Sequence, residues 1–91
     1  NLQTVLPAAL SLVSESAVLI ALIKPQFEVG RGQVGKGGIV RETSLHKSVC
    51  SRVNDWLSSV PNWKVLGITE SPIKGSQGNR EFLIGAEHIL L

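Results

Sequence analysis

The sequence of 91 residues contains no methionine, no tyrosine and a single cysteine, and its aromatic residues are two tryptophans and two phenylalanines. One cysteine cannot form an internal disulfide, which excludes a small secreted scaffold held by disulfides and a cysteine-based zinc site. Because methionine is absent, we expect that Asn1 is not a natural start and that the chain is a processed or cut product.

Charged residues are also scarce, at 18% of the chain against about 25% in an average soluble domain. Nine basic and seven acidic residues give a net charge of +2, below the density of a free-standing nucleic-acid arm. The apolar content excludes intrinsic disorder. A small domain exposes much of its surface, so this low charge favours a sheet whose edge and faces meet further structure. The alternative is a compact, slightly apolar domain.

The first 23 residues carry one charge, at Glu15, and are long enough to span a bilayer. A carboxylate in mid-membrane is costly, however, and Pro7 interrupts the segment. Its apolar residues follow helical spacing first and then form the continuous run 17–23. A basic n-region and a cleavage site are missing, so it is no signal peptide. The segment predicts a helix, a polar turn and a buried strand, with no membrane span.

The pattern along the chain predicts the order α-β-α-β-β. The predicted elements are a helix over 2–13, a strand over 18–23, a glycine-rich loop over 25–41, a helix capped by Thr43 or Ser44, and strands over 63–69 and 81–88. The first strand lacks alternation, which indicates burial on both faces. The β-α-β part should join parallel strands, and the last two strands should form an antiparallel hairpin.

This order is half of an α/β sandwich. The first strand should pair on one side with a strand outside this chain, which leaves an open edge. We therefore expect the chain to dimerise or aggregate through that edge.

The second helix has an apolar stripe at regular helical spacing. Its members are Leu45, Val49, Val53, Trp56, Leu57 and Val60. His46 and His88 have no partner at the spacing of metal ligands, so we predict no metal site. We expect His46 on the helix surface and His88 at the end of a strand. Cys50 lies beside the stripe and is interpreted as core rather than nucleophile. Trp56 and Trp63 should pack at the end of this helix.

The glycine-rich loop resembles two nucleotide motifs without fulfilling either. Gly30, Gly32 and Gly35 match G-x-G-x-x-G, and Gly35 with Lys36 also fits most of a P-loop. A P-loop needs Ser or Thr where Gly37 stands, and both motifs need a helix that starts at the glycines. Neither nucleotide interpretation is favoured.

Three cations lie in or beside this loop, Arg31, Lys36 and Arg41. Such a segment can become ordered on a polyanion, with the cations contacting phosphates and the amides forming a nest. An ordinary surface loop is the alternative. A loop over 25–41 is long for a compact domain, and long loops are usually functional.

Lys24 and Glu81 are the candidate catalytic residues. Lys24 ends a buried strand, and ligands bind outside the carboxyl ends of strands in open α/β sheets. A partly desolvated lysine there has a lowered pKa and suits proton handling. If the last strand runs antiparallel to the first, Glu81 faces the same crevice and can orient Lys24. The alternatives are a surface lysine and an exposed glutamate at a strand start.

Several short segments together resemble the C-terminal part of the hemolysin A (TlyA-type) family of FtsJ-like RNA methyltransferases. They are Lys24-Pro25-Gln26-Phe27-Glu28, Gly30-Arg31, Val34-Gly35-Lys36-Gly37-Gly38, Val40-Arg41, His46, Ser71-Pro72-Ile73, Gly75 and Gly78-Asn79-x-Glu81-Phe82-Leu83. The resemblance covers nearly the whole chain.

The resemblance implies the C-terminal half of a Rossmann-like methyltransferase that uses S-adenosylmethionine to methylate ribose 2′-hydroxyls of ribosomal RNA in the cytoplasm. Such sites use a Lys-Asp-Lys-Glu tetrad, in which Lys24 matches the second Lys and Glu81 the Glu. The first Lys, the Asp, the cofactor motif and an RNA-binding domain would lie upstream of Asn1. Residues 1–91 would then be a fragment without a cofactor site and inactive alone.

Two other functions remain open at this point. The same scaffold could serve as a non-catalytic RNA- or protein-binding module. Membrane lysis is the third hypothesis, suggested only by the family name, since the sequence offers no feature for pore formation.

Overall fold

The protein, seen in a computed structural model, is described over residues 1–11, 16–29, 38–75 and 78–89. Its elements are α1 (Leu2–Ser11), β1 (Ala17–Ile23), α2 (Pro25–Glu28), α3 (Thr43–Ser59), β2 (Trp63–Glu70) and β3 (Phe82–His88). The predicted order α-β-α-β-β is therefore confirmed, with one short helix added after β1.

The three strands form one sheet in the order β1-β3-β2. Both outer strands pair antiparallel with β3, so β1 and β2 run parallel to each other without being neighbours. Ile23 and Glu70 both pair with Phe82. The carboxyl ends of β1 and β2 thus lie at the same edge, on either side of the start of β3.

The hydrophobic core lies between one face of this sheet and the helices α1 and α3. Its buried members are Leu6, Leu10, Ile23, Val49, Val53, Leu57, Trp63, Ile84 and Ala86. Helix α3 contributes residues four apart, which places them on one side of the helix. Pro7 lies inside α1 and is exposed.

The other face of the sheet is exposed at two positions of β1. Val18 and Ile20 of β1 are 69% and 71% exposed, so the predicted burial of this strand on both faces is wrong for the chain as it stands. Alternate residues of a strand point to opposite faces, and α1 and α3 pack on the face opposite these two. Within the described residues, β1 pairs with β3 only and its other edge carries no strand.

Two local predictions are corrected where the chain enters its helices. Residues 25–28 form α2 rather than the start of a loop, because Pro25 presets the φ angle of a first helical position. Helix α3 has Glu42 at its N-cap position with no side-chain cap bond, so neither Thr43 nor Ser44 caps it.

His46 is buried, not on the helix surface as predicted, and its ring lies 5.7 Å from that of Phe82. Cys50 is half-buried against the core, and burial raises the pKa of its thiol. A raised pKa disfavours the thiolate, which agrees with a packing role. His88 ends β3 as predicted, and its ring lies 5.1 Å from that of Trp63, which belongs to the core.

No helix in the part of the chain that the structure describes is long and apolar enough to cross a bilayer.

Candidate functional site

The sheet edge where β1 and β2 end carries the two residues predicted to be catalytic. Ile23 pairs with Phe82, so extending this antiparallel register by one position sets Lys24 opposite Glu81. The backbone of Lys24 is extended, with φ −112° and ψ 98°. The Ser71 amide donates to the Glu81 carbonyl at 2.8 Å, which continues the β2–β3 pairing to the same level.

Glu81 is a buried carboxylate, with only 4% of the residue exposed. Its Oε2 accepts a hydrogen bond from Gln26 Nε2 at 2.9 Å. The connection between β2 and β3 approaches closely, because a Cβ on Gly75 would overlap the Glu81 carboxyl group. The carboxylate is therefore confined between the α2 side chain and a glycine backbone.

Lys24 is half-buried at the start of α2, and its Nζ lies 5.9 Å from the centre of the Phe27 ring. This geometry is a cation–π contact at the outer limit of its range. Among the described side chains, no ion pair within 4.0 Å joins Lys24 to Glu81. The two predicted catalytic residues lie at one edge but do not neutralise each other.

A buried carboxylate at the end of α2 fixes this short helix. Glu28 Oε2 accepts from Arg52 Nη2 of α3 at 3.0 Å, and Oε1 accepts from the Leu2 amide at 2.9 Å. A carboxylate at the first turn of α1 is favourable because the unpaired amides and the helix dipole are positive there. One side chain thus ties α2 to both long helices and sets the direction of the segment 24–28.

The segment that leads into α3 is anchored by Asn79, which is 1% exposed. Its Oδ1 accepts from the Val40 amide, and its Nδ2 donates to the Gly38 carbonyl, both at 2.9 Å. His46 Nε2 donates to the Val40 carbonyl at 2.8 Å. Both backbone polar groups of Val40 are satisfied, and Asn79 lies two residues before Glu81.

Of the three cations predicted to bind RNA, the structure describes only Arg41. Arg31 and Lys36 lie outside the described residues. Arg41 is exposed and directly follows the anchored Val40.

The segment before α3 does not form a phosphate-binding cradle. Such a cradle needs free amides at the start of a helix. Here the amide of Val40 is bonded to Asn79, and α3 begins only at Thr43. The described part of the chain also holds no group of three or more His, Cys, Asp or Glu side chains that could bind a metal ion.

Sequence patterns missed the residues that support the two candidates. Gln26, Gly75 and Asn79 all belong to the segments that carry the family resemblance, but polar type and spacing gave them no role. The hydrogen bonds of Gln26 and Asn79 span 55 and 39 positions of sequence. His46 was misplaced because a histidine next to an apolar stripe gives no sign of a buried carbonyl partner.

Comparison with known proteins supplies the family. The model of the FtsJ-like methyltransferases matches residues 1–88. The chain is 39% identical over 84 residues to "16S/23S rRNA (cytidine-2'-O)-methyltransferase TlyA" of Mycobacterium tuberculosis, covering 92% of this chain and 31% of that protein. It is 40% identical over 84 residues to "Putative rRNA methyltransferase YqxC" of Bacillus subtilis, covering 92% and 30%.

Solved structures agree with this assignment. The crystal structure of "a putative hemolysin from Lactococcus lactis" superposes with a TM-score of 0.88 at 39% identity, over 96% of this chain and 41% of that one. The chain spans about a third of the length of the curated relatives named above, at 31% and 30%. The match over residues 1–88 and the shared fold place this chain in the FtsJ-like methyltransferase family.

Proposed function

We propose that this chain is the C-terminal part of a ribosomal RNA methyltransferase that modifies ribose 2′-hydroxyls with S-adenosylmethionine. The observation that supports the proposal is the sheet edge where Ile23 pairs with Phe82, because Lys24 directly follows Ile23 and the buried Glu81 directly precedes Phe82. The relatives named for rRNA methylation supply the reaction class and the substrate class. An S-adenosylmethionine-type cofactor follows from the family in general, and its site would lie in the upstream part of the protein.

The chemistry needs residues of these types. A ribose hydroxyl is a poor nucleophile because it holds its proton tightly at neutral pH. An amine within hydrogen-bond reach can orient the hydroxyl and accept its proton as the oxygen is alkylated. Lys24 takes this role in our proposal, and the negative charge of Glu81 orients Lys24 from the opposite strand position.

Substitution of Lys24 by Ala in the full-length protein should abolish methyl transfer to rRNA, because the hydroxyl then loses its proton acceptor. Affinity for the cofactor should stay nearly unchanged, since Lys24 does not belong to the proposed cofactor half. Incorporation of radiolabelled methyl groups and cofactor binding by calorimetry measure the two effects.

Lys64→Ala is the matched control, because Lys64 is an exposed lysine on β2 near the opposite end of the sheet. It should leave turnover unchanged. Near-normal turnover of the Lys24→Ala protein would refute the assignment of Lys24. RNA binding without any methyl transfer by the wild type would favour a binding module instead.

The extent of the protein is part of the proposal. The coding region upstream of Asn1 should encode a strand with a glycine-rich turn, together with one Lys and one Asp at strand ends that complete the tetrad. An N-terminal RNA-binding domain is expected before it. An unrelated domain in the upstream sequence would remove the partners of Lys24 and Glu81 and overturn the enzyme assignment.

Contacts with RNA and a cytoplasmic location belong to the same proposal. Arg31, Lys36 and Arg41 would neutralise phosphates, so RNA affinity should fall steeply as the salt concentration rises. A binding constant that does not depend on salt would exclude this role.

We also propose that the 91-residue chain associates with itself through the edge of β1 and its exposed Val18 and Ile20. An unpaired strand edge beside apolar side chains templates pairing with another chain. Sedimentation at high protein concentration tests this, and a monodisperse monomer would rule it out.

A further inference from the structure

Gln26 connects the two predicted catalytic elements through a side-chain contact that has a fixed orientation. Its Nε2 donates to Glu81 Oε2 at 2.9 Å. An ionised carboxylate only accepts hydrogen bonds, so the amide nitrogen must face Glu81 and the amide oxygen must point elsewhere. The orientation of this amide is therefore set by chemistry.

The other end of the amide is unusual. Gln26 Oε1 is buried and has no hydrogen-bond partner among the described residues. Buried polar atoms nearly always find a partner in the protein or in ordered water.

The register explains what the Gln26 contact prevents. The β1–β3 register, extended by one position beyond the Ile23–Phe82 pair, sets Lys24 opposite Glu81, where side chains of antiparallel strands are near neighbours and opposite charges attract. A direct ion pair is the expected outcome at such a position. Instead the Glu81 carboxyl group is bonded to Gln26 and backed by Gly75, and Lys24 Nζ lies 5.9 Å from the centre of the Phe27 ring.

We propose that Gln26 is a positioning residue that keeps Glu81 out of a direct ion pair with Lys24. This inference rests on the proposed function, because it assigns Lys24 the task of engaging the substrate hydroxyl. A lysine locked to a carboxylate stays protonated and occupied. A lysine that only senses the charge of Glu81 remains available to accept a hydrogen bond and a proton.

Two substitutions of Gln26 test the proposal in the full-length protein. Gln26→Leu removes the donor, so Glu81 should turn to Lys24. Gln26→Glu keeps the size of the side chain and repels Glu81 toward Lys24, which keeps the test decisive if the leucine variant does not fold. We expect a fall in kcat of up to about 100-fold, the loss that a small misplacement of a reacting group can cause. The KM for RNA should be unchanged and the pH optimum should move to higher pH.

Gln3→Leu is the matched control, since Gln3 is a half-buried glutamine on α1. It should leave kcat and the pH profile as in the wild type. A purely structural role of Gln26 would lower the amount of active protein without moving the pH optimum. Wild-type kcat and pH profile in the Gln26→Glu protein would overturn the proposal.

A structure of the Gln26→Leu protein supplies a readout that does not depend on activity. The expected result is a Lys24–Glu81 ion pair closer than 4.0 Å. A structure in which the two side chains remain farther apart would contradict the inference. If the ion pair forms while the wild-type protein methylates no RNA, the positioning relation stands and the proposed function fails.

Discussion

The two ends of the sheet are built from different side chains. The end where β1 and β2 finish contains four buried polar residues that form hydrogen bonds to other segments: Glu28, Asn79, Glu81 and His46. At the end where β1 and β2 begin, the core consists of apolar and aromatic contacts, with Trp63 against His88 and Leu57 fully buried.

The two ends therefore have different tasks: one fixes the positions of side chains, and the other stabilises the fold. Apolar burial is non-directional and stabilises roughly in proportion to area. Buried polar groups add little net stability when satisfied and are costly when they lose a partner, but they fix distances and directions. At the polar end, hydrogen bonds fix Gln26 against Glu81 and Asn79 against the segment before α3. At the other end, apolar burial contributes to stability.

The largest effect on stability should come from the apolar end. Leu57→Ala removes a side chain with no exposed surface and leaves a cavity, so the free energy of unfolding should fall by roughly 2–5 kcal/mol. Urea unfolding measures this loss. Ser58→Ala, at an exposed position of the same helix, should change little.

Hydrogen exchange at the Val40 amide of the same Leu57→Ala protein tests whether the two ends of the sheet act separately. If the two ends have separate tasks, the hydrogen bond from Val40 to Asn79 stays formed in the folded protein. If Leu57→Ala lowers the free energy of unfolding by less than about 1 kcal/mol, well below the range for a buried leucine, the apolar end is not the main source of stability.

An intermediate effect is expected from the polar end. Asn79→Ala removes both hydrogen bonds to the segment before α3 and leaves the buried Val40 amide without a partner, so it should cost about 1–3 kcal/mol. Hydrogen exchange at Val40 should accelerate beyond what the global loss explains. Asn54→Ala on α3 is the matched control and should leave Val40 protected. Unchanged protection in the Asn79→Ala protein would disprove the anchor.

The sequence predicted the apolar end better than the polar end. Helical spacing on α3 identified Val49, Val53 and Leu57 as core, because a periodic pattern reports which face of an element is buried. The order of helices and strands along the chain and the final antiparallel pair of strands also followed from local signals. The open face of β1 was misjudged, because an apolar run shows what a strand is suited to meet rather than what this chain supplies.

The polar end depends on contacts between residues far apart in sequence. Lys24 and Glu81 could be placed at one edge because strand direction alone decides which ends meet. The hydrogen bond from Gln26, the approach of Gly75 and the buried ring of His46 depend on side-chain geometry across elements. Composition and spacing do not encode such geometry, and α2 was overlooked because four residues carry no periodicity.

The smallest effect on stability should come from a surface ion pair beside the polar end. Its removal tests whether every charged contact there positions the site. Arg80 bonds both carboxylate oxygens of Glu70, and this hydrogen bond holds the pKa of Glu70 below its ordinary value. Both side chains are substantially exposed, so the pair should contribute little to stability. Because the pKa is lowered in the folded state, the contribution is present above the pKa of the unfolded chain and is lost as the pH falls through the folded value.

Thermal unfolding of the wild type and of Glu70→Gln from pH 7 to pH 2 measures this contribution. The small difference in Tm between the two proteins should be present at pH 7 and should vanish at the acidic end, as protonation makes the wild-type side chain neutral as well. Methyl transfer should not change, because Glu70 contacts neither Lys24 nor Glu81. A difference in Tm that is constant with pH would show that packing, not charge, makes it. A loss of turnover in Glu70→Gln would extend the positioning network from the buried residues of the polar end to its surface.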